Sequence, residues 1–122
     1  SYDRVSYALS IASVWAAQLK EVHVLFTYGA VCRLVKGRTD GLGEETEEWI
    51  REDIRTGLEG SSVQRVSEMM SYLKGFGGRV YACVAAMKFH GIAKEDLIPE
   101  VDEAIGISTF LERTDGATVL YV

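Results

Sequence analysis

The stretch GFGGRVYACVAAMKFHGI, residues 75–92, decides how this chain is read. Three glycines, Gly75, Gly77 and Gly78, end whatever precedes them, because their freedom at positive φ suits a helix stop. RVYACV, residues 79–84, is then rich in β-branched and aromatic side chains and nearly unbroken in apolarity, the pattern of a strand covered on both faces. AAMKFHG after it reads as a turn or short helix. A strand that passes straight into a helix is half of a βα unit, and such units build parallel sheets with right-handed crossovers.

Upstream, Ser61 or Ser62 is a candidate cap for a helix whose inner stripe is Val63, Val66, Met70 and Leu73. Before it, Glu44 to Leu58 has Trp49, Ile50, Ile54 and Leu58 roughly on one face and an acid-rich start suited to a helix N-terminus. EVHVLFTY, residues 21–28, matches the strand pattern of residues 79–84. After Gly29, AVCRLVKG reads as a short helix and RTDGLGEE as an exposed loop. The chain opens on a helix that Asp3 can cap, with Val5, Ala8, Leu9, Ala12, Ala16 and Leu19 at helical spacing and Trp15 widening the stripe. Downstream, an acidic connection runs through Pro99, ISTFLERT reads as a helix and ATVLYV as a closing strand. In an open α/β sheet the first strand is often central, so a short apolar strand is expected ahead of Ser1.

The whole is expected to be one α/β domain over residues 1–122, a mostly parallel sheet flanked by helices. A length of 122 residues with 48% hydrophobic side chains suffices for one core. With 18 acidic and 13 basic residues the formal charge is −5, which speaks against a phosphate-binding face and hence against nucleic acid. No apolar run reaches the roughly 18–20 residues of a spanning helix, and no basic-then-apolar leader opens the chain; no membrane and a cytoplasmic location are expected.

Two cysteines make neither a disulfide framework nor a closed zinc site, and they are expected to be free thiols. Ligands of open parallel sheets bind at the carboxyl ends of the strands, and both cysteines map there. Cys83 ends its strand at a helix start, where the dipole and unpaired N–H groups favour the thiolate. Its plain alternative is a small buried hydrophobe. His90 is placed seven residues on, sharing a helical face with Cys83, and Cys32 is a candidate second thiol. His23, inside a strand, is expected to meet a backbone or solvent partner. The glycines of GFGG lack the spacing of a dinucleotide fingerprint, so no cofactor is indicated. Glu44, Glu45, Glu47 and Glu48 read as a solvated helix face, with no metal.

RVYACVAAMKFHGI, with Cys83, Met87, His90 and Gly91, resembles the cysteine segment of the DsrE/DsrF-like sulfur-relay family. EDLIPEVDEAIGISTFLERTDGATVLYV is similar to that family's C-terminal half, and EVHVLFTYGA to its second strand and loop. The resemblance implies a flavodoxin-like three-layer subunit that forms homo-oligomers, trimers or hexamers. It also implies a possible sulfurtransferase, with Cys83 holding sulfane sulfur or a thiosulfonate for a small sulfur-carrier protein or a rhodanese. Two other readings stand beside it: a noncatalytic oligomeric binding module using the region from Gly29 to Glu48, and a redox sensor pairing Cys32 with Cys83.

Overall fold

The computed structural model describes residues 1–122. Three strands, β1 (His23–Phe26), β2 (Arg79–Cys83) and β3 (Glu103–Ile105), form one parallel sheet in the order β1-β2-β3. Helices α1 (Tyr2–Ala17), α2 (Glu48–Glu59), α3 (Val66–Gly75), α4 (Val84–Phe89) and α5 (Ile107–Arg113) surround it, with 3-10 segments at Tyr28–Leu34 and Lys94–Asp96. This is the α/β arrangement with a parallel sheet and flanking helices that the strand–helix alternation predicts. No helix is long and apolar enough to cross a membrane.

Strand alternation sorts the side chains. Val80 and Ala82 of β2 are fully buried on the face taken by the α1 and α3 pair, where Val5, Leu9, Ala12, Val66, Met70 and Leu73 complete the core. Tyr81 points the other way and meets α5, its ring 5.9 Å and edge-on to Phe110. Helices α1 and α3 run side by side: the Tyr2 hydroxyl donates to the Gln64 carbonyl and accepts from the Val66 N–H, both at 3.2 Å. Lys74, in the last turn of α3, reaches both the Gly78 carbonyl and the Asp102 carboxylate. Asp102 in turn accepts the Val80 N–H at 2.8 Å, and its own N–H returns to the Val80 carbonyl, so β3 begins bolted to β2.

The structure departs from expectation at several points. Residues 36–47 are a folded loop. Arg33, only 4% exposed, donates to the carbonyls of Thr39, Gly41 and Leu42 and to the Glu45 carboxylate, with its guanidinium 5.2 Å from the Tyr2 ring centre. So held, the loop caps two helices: Thr46 Oγ1 accepts the Tyr2 N–H at 2.9 Å, and Asp40 accepts the Ser67 N–H at 2.8 Å and its hydroxyl at 2.6 Å. These ties keep Glu44 to Glu47 out of α2, which starts at Glu48. Trp49 is consequently exposed, its indole N–H bonded to Glu47, and is no part of the inner stripe. Helix α3 begins at Val66, since Ser61 sits at a φ of 60° in the preceding turn.

The third strand lies at Glu103–Ile105, inside the segment read as an acidic connection. Residues 117–122, read as a strand, are exposed and pair with no ladder partner. Strand propensity describes fit to a pleated, half-covered surface; without a neighbour to supply one, ATVLYV stays unpaired.

Candidate functional site

The site begins with the register of the sheet. Phe26 pairs with Ala82, so the next residues on each strand, Thr27 and Cys83, leave the carboxyl edge side by side. Thr27 has extended backbone angles and starts the 3-10 segment; Cys83 likewise starts α4. From these positions the Thr27 hydroxyl and the N–H groups of Ala86 and Ala85, unclaimed because they open a helix, lie near enough to the Cys83 sulfur to favour its charged form, although Cys83 makes no side-chain cap hydrogen bond.

Burial alone pushes a thiol up, and Cys83 is 1% exposed within the apolar core. The Thr27 hydroxyl and the two N–H groups outweigh that penalty, and the Cys83 thiol lies below its ordinary range. The arrangement therefore favours the thiolate, the nucleophilic form of sulfur, at a buried position on the carboxyl edge of the sheet. Next to Thr27, Tyr28 is exposed and adopts a φ of 45°, a left-handed conformation that costs a non-glycine residue about 1–2 kcal/mol.

Cys32 lies half-buried in the 3-10 segment against α4 and is a free thiol, as is Cys83. His90 is the first residue beyond α4, exposed, with its ring edge-on to Phe89 at 4.9 Å. Seven residues of helical rise separate it from Cys83, about 10 Å along the axis, and the two share no hydrogen bond. The structure thus brings Thr27 to Cys83, and leaves His90 at the far end of the same helix.

His23 has side-chain partners in place of backbone or solvent ones. Nδ1 lies 2.8 Å from the Tyr81 hydroxyl and Nε2 is 2.8 Å from Glu21, while Arg113, paired with Glu103, stands over the Tyr81 ring. This cluster is on the α5 side of the sheet, at the strand starts, away from the thiol edge. No three His, Cys, Asp or Glu side chains are grouped to hold a metal ion.

Thr27 is the neighbour of Cys83 that reading the residues overlooked. Its signal was a hydroxyl immediately after an apolar strand, at the height where the neighbouring strand ends in cysteine, and using it required the register. No curated protein matches the chain. Residues 1–118 match the family model of the DsrE/DsrF-like family, and a chain with that match and a parallel sheet ending in a supported cysteine belongs to that family.

Proposed function

We propose that this protein is a sulfur carrier that loads sulfane sulfur on Cys83 and passes it to a partner thiol. The family is generally one of sulfur relay. The observation that carries the reading is the thiol's environment: a cysteine at a strand–helix junction, its pKa lowered by the Thr27 hydroxyl and the Ala86 and Ala85 N–H groups. In the loading step the Cys83 thiolate attacks the terminal sulfur of a persulfide or polysulfide. A new Cys83 S–S bond forms, the donor's S–S bond breaks, and the donor leaves as a thiolate. In the second step an acceptor thiolate attacks that outer sulfur and Cys83 departs as the thiolate that the same donors stabilise. A small sulfur-carrier protein or a rhodanese is the class of acceptor.

A second reading takes its support from burial: at 1% exposure Cys83 also serves as a packing residue, in a domain that binds partners without chemistry. Intact-mass measurement after incubation with polysulfide separates the two. Wild type is expected to gain a reductant-reversible sulfur adduct and Cys83→Ser to gain none at that site. A folded wild type that takes up no sulfur from polysulfide, thiosulfate or tetrathionate, or an unchanged adduct in Cys83→Ser, would overturn the carrier reading.

A further inference from the structure

Three exposed apolar side chains leave the sheet at the edge that holds the thiol, one from each strand end. Tyr28 stands two residues past β1, Val84 directly follows Cys83, and Ile107 stands two residues past β3; they are 78%, 45% and 47% exposed. The register sets these ends side by side, since Phe26 pairs with Ala82 and Cys83 with Ile105. The same ends are free of charge. No Asp, Glu, Lys, Arg or His occurs in residues 27–32, 80–87 or 104–111, although 25% of the chain is charged.

Tyr28 carries a strain that the fold does not explain. Its φ of 45° is left-handed, a conformation that glycine enters without penalty, and the chain places its glycine one position later, at Gly29. The exposed ring buries little in return, and whereas the Tyr2 and Tyr81 hydroxyls are hydrogen-bonded, that of Tyr28 is not. Strain kept beside a reactive group points to a contact that is made when substrate arrives.

We propose that the Cys83 site takes its sulfur from an organic persulfide whose carbon group is uncharged and apolar, with Tyr28 as the residue that sets this specificity. The inference rests on the carrier reading and names its donor. Charge decides against the inorganic donors: thiosulfate and tetrathionate are dianions, and their approach to a thiolate calls for a cation that the three strand ends do not supply. An apolar group instead gains by leaving water against Tyr28, Val84 and Ile107. In the step itself the Cys83 thiolate bonds to the outer sulfur of R–S–SH and the donor's S–S bond breaks. The R–S group leaves as a thiolate with that electron pair, and the proton stays on the transferred sulfur.

Methanethiosulfonate reagents test it, because they share one reacting S–S bond and differ in the group delivered: the Cys83 thiolate displaces methanesulfinate and keeps S–R. Rates for the methyl, benzyl and sulfonatoethyl reagents are measured on the full chain, with adducts assigned to Cys83 by peptide mass and each rate divided by that of free N-acetylcysteine. Wild type is expected to favour benzyl over methyl roughly three- to tenfold, the worth of one aromatic pair, and to take the anionic sulfonatoethyl group more slowly than methyl. Tyr28→Phe should keep the benzyl preference. Tyr28→Asn, which accepts the left-handed backbone, should lose it while melting no lower than wild type. A preference absent from wild type, unchanged in Tyr28→Asn or lost equally in Tyr28→Phe, a Tyr28→Asn chain that melts lower, or an anionic reagent that outpaces the methyl one would overturn the inference and leave the carrier reading standing. A Cys83 that reacts with none of the reagents would remove both.

Discussion

At the scale of single residues, the proposed chemistry rests on a hydroxyl beside a thiol. A hydrogen bond to a charged group contributes about 1.5–3 kcal/mol, so Thr27→Val, which keeps the volume and removes the donor, is expected to slow sulfur loading at neutral pH roughly tenfold. The pH–rate profile of thiol alkylation at Cys83 should move to higher pH in the same variant, with a far smaller change in melting temperature. An unmoved profile would mean that Thr27 does not hold the thiolate. The position of Cys83 was legible from the residues, since an apolar strand ending where a helix opens is marked in the sequence itself. Thr27 was not, because partnership across strands depends on a register that no local pattern contains. His90 was legible only as a shared helical face, which says nothing of the distance along the axis.

At the scale of elements, the joint between α3, β2 and β3 is ionic. Burial raises the Asp102 carboxyl, but the Lys74 ammonium and the Val80 N–H outweigh this and leave it below the usual carboxylate range. A depressed carboxyl stabilises the fold at pH values above its unfolded pKa of about 3.9, and that contribution disappears as the pH falls through the folded value. Asp102→Asn is therefore expected to lose about 1–2 kcal/mol at neutral pH and to flatten the acid limb of a denaturation series below about pH 4. Equal acid sensitivity in variant and wild type would exclude this joint as its source. The same joint explains why β3 escaped notice. Its three residues follow an acidic stretch, and what makes them a strand is the Asp102 bond to Val80, a contact 22 positions away. Conversely, ATVLYV has every local mark of a strand and no partner, whereas the helix read in ISTFLERT is present as α5, whose Phe110 reaches Tyr81.

At the scale of the molecule, the parallel α/β plan could be read from composition and alternation, and the family from the cysteine segment. What could not be read was the inward role of residues 36–47, whose glycines and charges are those of an ordinary surface loop. Its anchor is Arg33, and a lysine there supplies one charge but cannot reach four acceptors in a planar fork. Arg33→Lys is expected to cost about 3 kcal/mol, read as a lowered melting temperature, with hydrogen exchange rising first at the starts of α1 and α3. Protection lost evenly over the whole chain would argue against a localised role.

The caps that Thr46 and Asp40 provide bear on where this chain tolerates being cut or extended. Connecting segments are normally the places where a protein accepts a nick, a tag or an inserted domain. Here the longest connection is also the fastening for the first turns of two core helices, so a break between Thr39 and Thr46 would release both ends together. A reporter peptide placed there would act as a wedge. The exposed residues from Ala117 onward, which hold nothing in place, are the site at which the same cargo would be carried without disturbing the core.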